Sequence, residues 1–308
     1  MIARGGTLGD FVLTLPAIRA LREALPDTEI NILANQPIAS LALDAAEING
    51  IARLDDADLA PVFIRDGNLS EKWREYFSRH DLIVSYLYDP EKVFAANLHG
   101  FGVARMATGP SRIAGSGPPA AIQLTQPVRE LGIPINDFAP RLQIGDRPQE
   151  NARQKFGASP VIALHPGSGS PRKNWPLENW IALIAYLIER TISVAIIGGE
   201  ADRAQIAEIQ NRFKNESVSF ALDWPLRDLA ALLAGLMFVG HDSGVSHLAA
   251  ATGTTSLVLF GPTDPQVWAP QNENARVLLA PNRDLSQLPV ATVREAINQE
   301  LMRIGIRT

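Results

Sequence analysis

The stretch His241-Asp242-Ser243-Gly244-Val245-Ser246-His247-Leu248 follows Leu236-Met237-Phe238-Val239-Gly240, and Thr255 to Phe260 comes shortly after it, closed by Gly261 and Pro262. The apolar run before the motif suits a buried strand. Val245, Leu248, Ala249 and Ala251 fall at helical spacing, so Ser243 or Ser246 stands at a helix start. Thr255 to Phe260 reads as a second buried strand. Strand, polar turn, helix and strand make a βαβ unit whose helix N-terminus faces the carboxyl end of the first strand. Unpaired backbone N–H groups and the helix dipole favour an anion at that point. Asp242 and His247 stand at the same edge, and a short helix needs neither for packing. The combination suits a phosphorylated ligand that carries hydroxyls, such as a nucleotide-sugar. A plainer reading makes Asp242 and Ser243 helix caps and His247 a satisfied surface histidine.

Outward from this unit, strand-like and helix-like segments alternate, which points to α/β architecture with parallel sheets. Met1 to Arg4 reads as a short strand, Gly5 to Gly9 as a turn, and Val12 to Leu25 as a one-faced helix that Pro16 either kinks or begins. Glu29–Leu33 and Asp81–Val84 read as strands, Ile38–Ile48 and Glu71–Arg79 as helices, and residues 105–127 as loop-rich. Pro140 to Gln149 is polar and holds two prolines, which places an interdomain linker there and gives domains 1–145 and 146–308. In the second domain, Val161–Leu164 and Ser193–Ile197 read as strands, and Trp180–Glu189, Ala201–Phe213 and Arg227–Ala234 as helices. The tail, 290–304, carries Val293, Ile297, Leu301 and Ile304 on one face. That helix must dock on something, and the N-terminal domain is the expected surface.

A chain of 308 residues with 46% hydrophobic and 20% charged residues is long enough for two cored domains of ordinary soluble composition. The formal net charge of -5 and the lack of a basic stripe with interleaved aromatics argue against nucleic acid as a partner. With no cysteine, disulfides, thiolate zinc sites and cysteine nucleophiles are excluded. No apolar run is long enough to span a bilayer, and the N-terminus lacks the charged and apolar regions of a signal peptide. The expected location is therefore the cytoplasm. Peripheral contact with the inner face of the cytoplasmic membrane stays compatible with a lipid-linked acceptor.

Three further loop clusters follow strands, where α/β folds bind ligands. Gly5-Gly6-Thr7-Leu8-Gly9-Asp10 is a turn that lets a sugar approach the backbone, with Thr7 and Gly9 on the loop and Asp10 as a carboxylate beside it. Asp10 equally suits a helix cap. His165-Pro166-Gly167-Ser168-Gly169-Ser170-Pro171-Arg172-Lys173 offers free amides, hydroxyls and cations, a set that suits a diphosphate. The alternative is a solvated loop anchored by Trp175. Gly198-Gly199-Glu200-Ala201-Asp202 ends a strand with two carboxylates, either of which suits ribose hydroxyls or a helix cap.

With these residues in place, the chain resembles glycosyltransferase family nine, the ADP-heptose:lipopolysaccharide heptosyltransferases. The likeness rests on Leu8-Gly9-Asp10 with Pro16 downstream, His165-Pro166-Gly167-Ser168-Gly169 with Lys173-Asn174-Trp175-Pro176, Asp242 to Leu248, and Phe260-Gly261-Pro262-Thr263-Asp264-Pro265. These motifs stand in the family's order from the first residues to about residue 270. The resemblance implies a GT-B fold: two facing Rossmann-like domains, acceptor on the first and nucleotide-sugar on the second, with the C-terminal helix docking back. It implies metal-independent, inverting transfer with an ADP-sugar as substrate and no cofactor. Asp10 would be the general base. Lys173 would contact the diphosphate, with Ser168 and Gly169 close by. Asp242 would hold sugar hydroxyls, the amides around Ser243, Gly244 and His247 would face the phosphates, and Glu200 or Asp202 would bind ribose. Closure of the domains would assemble the site.

Two features depart from the family's pattern. The first strand is shorter than its usual opening, and residues 1–145 hold thirteen Lys and Arg against seventeen Asp and Glu, where heptose-accepting members tend to be basic. The acceptor is thus a lipopolysaccharide core or another glycan or glycolipid. A nucleotide-sugar epimerase on the same scaffold and a non-catalytic nucleotide-sugar-binding protein are the rival readings.

Overall fold

The computed structural model describes residues 1–42, 47–156, 161–214 and 218–306. It divides into two compact α/β units, Met1–Ala114 with Ala120–Phe138, and Gly115–Pro119 with Ala139–Thr308. The change of unit after Phe138 falls shortly before the boundary read from the sequence.

The first unit runs β1 (Ile2–Arg4), α1 (Leu8–Val12), α2 (Leu15–Ala24), β2 (Asn31–Ala34), α3 (Gln36–Ala42), β3 (Gly50–Arg53), α4 (Glu71–Ser78), β4 (Leu82–Ser85), α5 (Val93–Gly100), β5 (Arg105–Thr108) and α6 (Ala120–Glu130). Its strands form one parallel sheet in the order β3-β2-β1-β4-β5. β1 is buried along its length, as a central parallel strand covered on both faces must be. One face packs Ala3, Leu33 and Ile83 against Trp73, Phe77, Phe94 and Leu98. Pro16 sits in the first turn of α2. There its fixed φ and missing N–H cost nothing, so it begins a new helix rather than kinking one.

Two expectations change here. The segment 105–127 is not mainly loop: it holds β5 and the start of α6. β5 is an edge strand without a fully buried residue, so it shows no apolar run, and α6 carries Pro127 inside it. The helix expected over Ile38–Ile48 is seen as α3, while residues 43–46 lie outside the described residues.

The second unit runs α7 (Asp146–Phe156), β6 (Ile162–His165), α8 (Leu177–Glu189), β7 (Val194–Gly198), α9 (Arg203–Arg212), β8 (Val218–Leu222), α10 (Leu226–Leu233), β9 (Met237–His241), α11 (Gly244–Ala251), β10 (Thr255–Phe260), α12 (Pro265–Trp268), β11 (Ala275–Leu279) and α13 (Val290–Arg303). All six strands are parallel, in the order β11-β10-β9-β6-β7-β8. α7 occupies the later part of the stretch read as linker. Its sequence is polar enough to pass for one, although Phe156 packs edge-on against Trp224 with ring centroids 4.9 Å apart. The tail helix α13 also departs from expectation. Its stripe of Val293, Ala296, Ile297 and Leu301 is filled by the second unit's own core, which includes Trp175, Leu183 and Leu187. The Asn298 side-chain amide donates to the Tyr186 hydroxyl of α8 at 2.8 Å. A one-faced helix docks on the nearest matching apolar surface, and here its own unit supplies that surface.

Each sheet changes winding direction at one place, between β1 and β4 in the first unit and between β6 and β9 in the second. Parallel sheets bind ligands at the carboxyl ends of the strands flanking such a reversal. The segments that follow β1, β6 and β9 are the three that carry Asp10, in the first turn of α1, Lys173 and Asp242.

Candidate active site

In the second unit β6 and β9 run side by side, with His165 paired to Gly240. A Cβ on Gly240 would lie 2.6 Å from the Phe238 ring and 3.3 Å from the Cβ of His165, so glycine permits the close approach of the two strand ends. Ser243 is the N-cap of α11, its Oγ accepting from the Ser246 N–H at 3.4 Å. The Ser246 hydroxyl donates to the His241 carbonyl. The N-cap is half-buried and, with the Ser246 N–H taken by the cap, the Gly244 and Val245 N–H groups are those left without an intrahelical acceptor, which is the anion-favouring geometry expected there. His247 is buried, so the alternative of a surface histidine does not hold.

Lys173 comes back from the β6 loop to meet this turn. Its Nζ donates to the Asp242 carbonyl at 2.7 Å and to Asp242 Oδ2 at 3.2 Å. The lysine side chain is 25% exposed and the aspartate 8%, so the pair opens to solvent on the lysine side. Ser168 Oγ lies 2.8 Å from the Ser170 carbonyl and 2.5 Å from Asn174 Oδ1, either of which takes its proton. Gly169 has φ +73° with open space where a Cβ would be, so the loop backbone itself is presented.

The two acidic candidates after β7 separate. Glu200 is exposed. Asp202 is 8% exposed, accepts the Gly199 N–H at 3.2 Å and pairs with His165 Nε2 at 3.3 Å. Burial alone would raise the Asp202 carboxyl, but His165 and the Gly199 N–H outweigh it and hold it below its ordinary value. A Cβ on Gly167 would fall 1.7 Å from Asp202 Oδ1, which shows how tightly the carboxylate closes the loop. Asp202 therefore has the capping role, with the β6 loop as its second partner.

In the first unit Asp10 lies in α1. Its Oδ2 accepts from the Thr7 N–H at 2.8 Å and from the Thr7 hydroxyl at 2.9 Å, so Thr7, not Asp10, is the N-cap of α1, and Asp10 reaches back to it from the third helical position. Its Oδ1 is 3.1 Å from Nη2 of Arg4, whose side chain is 2% exposed and lies over the Tyr86 ring. Burial pulls the Arg4 guanidinium below its ordinary value, with Asp10 and Tyr86 opposing. The Asp10 side chain stays 26% exposed, so capping leaves it partly open to solvent. Thr7 is exposed, whereas Gly9 is buried inside α1. A cavity of about 870 Å³ lies at the opposite, amino-terminal edge of this sheet, lined by Met1, Ile30, Gly50, Leu82 and Arg105. None of the residues 5–10 around Asp10 lines it.

Sequence reasoning overlooked Arg4, His165 and His241. Each sits at a strand end and is buried, and a polar residue closing an apolar run was the signal for all three. Among the described residues, no three His, Asp or Glu side chains converge as a metal set would, and no helix is long and apolar enough to cross a membrane.

Two parallel α/β units, the second with phosphate-suited loops at its winding reversal, are the architecture of the GT-B class of glycosyltransferases. Residues 120–294, more than half of the chain, match the model of glycosyltransferase family 9 (heptosyltransferase), and the chain belongs to that family. It is 32% identical over 133 residues to lipopolysaccharide heptosyltransferase 1 of Escherichia coli O18:K1:H7, a match covering 41% of this chain and 39% of that protein. The matched part thus spans about two fifths of that relative's length. In fold it is similar to E. coli ADP-heptose lps heptosyltransferase II, with TM-score 0.80, 20% identity and 98% of each chain covered. It is also similar to the E. coli heptosyltransferase WaaC with ADP-2-deoxy-2-fluoro heptose, with TM-score 0.71, 19% identity, and 97% of this chain and 98% of that one covered.

Proposed function

We propose that this chain transfers heptose or a related sugar from an ADP-sugar to a lipopolysaccharide core or another glycan acceptor, inverting the anomeric centre without a metal. The observation that carries the reading is the meeting of Lys173 with Asp242 at the winding reversal, beside the N-terminus of α11. A nucleotide diphosphate-sugar offers what those groups lack: anionic oxygens for Lys173 and the helix amides, and hydroxyls for Asp242. Ser168 and the backbone at Gly169 lie on the same loop, and the amides of Ser243 and Gly244 belong to the helix start, whereas the expected His247 amide is already spent on the Ser243 carbonyl at 3.3 Å. Glu200 is the ribose partner in this reading, because Asp202 is already held by His165 and Gly199.

Inversion needs a base on one face of the anomeric carbon and stabilisation of the leaving group on the other. Lys173 and the α11 amides meet the charge that develops on the departing diphosphate. Asp10 takes the proton of the acceptor hydroxyl, its carboxylate aimed by Arg4 and Thr7. The relatives named above support the donor: one carries the name of a lipopolysaccharide heptosyltransferase, and WaaC was solved with an ADP-heptose analogue. The absence of a bilayer-crossing helix among the described residues is compatible with a cytoplasmic protein that meets a lipid-linked acceptor at the membrane surface.

The test is Asp10→Asn, which keeps an acceptor for Thr7. It should abolish transfer from ADP-heptose while the calorimetric affinity for ADP-heptose stays within about twofold. Full activity in this variant refutes the assignment of the base. Turnover of the donor without acceptor would indicate an epimerase. ADP binding without transfer to any glycolipid extract would indicate a binding protein.

A further inference from the structure

We propose that His241 is the positioning residue of the donor site, one imidazole that fastens both ends of the Lys173 loop to β9. The inference rests on the donor site described above and adds a residue that does not touch the ligand.

The loop leaves β6 after His165 and returns at Trp175. Its two ends meet the same side chain. His241 Nε2 lies 2.8 Å from the Trp175 backbone nitrogen, and His241 Nδ1 lies 3.0 Å from the Gly167 carbonyl. A backbone N–H can only donate, so Nε2 must be the acceptor. The proton therefore sits on Nδ1 and is donated to Gly167. The tautomer follows from the two partners alone.

The imidazole has no exposed surface. It is packed edge-on to Trp180 with centroids 5.4 Å apart, and Trp180 is in turn edge-on to Trp175 at 5.2 Å. The Trp175 indole N–H donates to the Leu288 carbonyl at 2.9 Å, so the outgoing end of the loop is anchored in the core beneath. Between the two fastened points lie Ser168, Gly169 and Lys173. Lys173 reaches Asp242, the residue next to His241. Adjacent residues at the end of β9 thus fix the loop by its backbone and receive its cation.

Shape explains the residue type. An asparagine side chain places a nitrogen near the Nδ1 position but cannot reach the Trp175 N–H. A glutamine places an oxygen near the Nε2 position but offers nothing to Gly167. Only an imidazole serves both, and only while neutral, because a second N–H would point at the donor of Trp175. Burial keeps it neutral.

The test measures ADP affinity by calorimetry for His241→Asn, His241→Gln and Lys173→Ala, and for each His241 variant combined with Lys173→Ala. Thermal unfolding is followed in parallel. Each single His241 variant should weaken ADP binding about 3- to 10-fold, the range for one lost hydrogen bond acting on the loop. In the Lys173→Ala background the same change should shrink, since the charged one of its routes to the ligand has been removed and only Ser168 and the Gly169 backbone remain. Cooperatively folded His241 variants that bind ADP as the parent does would overturn the proposal. So would a loss that keeps its full size without Lys173. If Lys173→Ala itself leaves ADP binding unchanged, the donor-site reading is what fails. Nitrogen-15 NMR of the unaltered protein supplies a readout that needs no variant to fold: His241 should appear as the Nδ1–H tautomer, and an Nε2–H tautomer overturns the proposal.

Discussion

Acidification should weaken the second unit well before its carboxylates protonate. His241 is lowered from 6.5 to about 3, chiefly by burial, with His165 and Lys173 adding to the effect while the Gly167 carbonyl and Asp202 oppose it. In the unfolded chain the imidazole binds a proton near 6.5, so below that pH the unfolded state holds a proton the native state lacks. The contribution of the neutral, buried ring is therefore complete at pH 7.5, falls as pH drops through 6.5, and goes on falling to about 3. At pH 5.0 the loss spans about 1.5 pH units at about 1.4 kcal/mol each, or about 2 kcal/mol. Asp202 has the depressed pKa of a paired carboxylate, so its contribution is intact above its ordinary 3.8 and does not enter at pH 5.0. In the first unit the Met1 amine, lowered to about 6, and His80, lowered by burial, act in the same direction as His241. The raw pH dependence of the chain would mix all of these. Comparison with His241→Gln isolates the one group. Urea unfolding followed by tryptophan fluorescence suits the purpose, because Trp175, Trp180, Trp224 and Trp268 all lie in the second unit. The stability advantage of the parent over His241→Gln should shrink by about 2 kcal/mol between pH 7.5 and 5.0. A difference that stays constant across that range refutes the neutral, buried imidazole.

Gly167→Ala puts a methyl 1.7 Å from Asp202 Oδ1, and overpacking of that kind should cost about 1–3 kcal/mol, read as a lowered urea midpoint. Glu200→Gln should weaken ADP-sugar binding in calorimetry and leave the melting temperature unchanged, whereas Asp202→Asn should lower the melting temperature by disturbing His165 and Gly199. Asp10→Ala strands the buried Arg4 cation and should cost about 1–3 kcal/mol in urea unfolding, with the low end set by solvent screening at a carboxylate that is 26% exposed. Arg4→Met combined with Asp10→Ala should recover part of that loss, and Asp10→Asn should lose less than Asp10→Ala. An Asp10→Ala protein as stable as the parent would show that the ion pair contributes nothing.

The α/β alternation was legible because the central strands β1, β6, β9 and β10 are buried on both faces and read as short apolar runs. β3, β5 and β11 were not. They are edge strands whose residues are half-buried or exposed, so their hydrophobicity never rises above that of a loop. β8, the remaining edge, fails for the same reason, with Ala221 its one buried residue. The loops proposed to hold the donor stood out in the sequence, since glycines, hydroxyls and a cation after a strand have few structural uses. The choice between Glu200 and Asp202 was not. Two residues separate them, and which one turns inward depends on His165, a partner 37 positions from Asp202. For Asp10 the sequence offered an N-cap or a base; the cap proved to be Thr7, three residues before it, with Asp10 as its partner, while the role of base is the proposal made above. The destination of α13 was illegible because an apolar stripe states that a partner exists without saying which.

The pairing of Lys173 with Asp242 has a consequence for ligand discrimination. Each satisfies the other's charge. A bare phosphate arriving at Lys173 competes with the carboxylate for the same cation and offers that largely buried carboxylate nothing in return, so such binding should be weaker than that of a ligand that serves both. A lone sugar faces the mirror problem at Asp242. A molecule bearing both an anionic linker and hydroxyls, at the right separation, replaces each half of the pair at once. In the proposed donor site the ion pair would then act as a coincidence detector, holding either half of the ligand less tightly than the intact one.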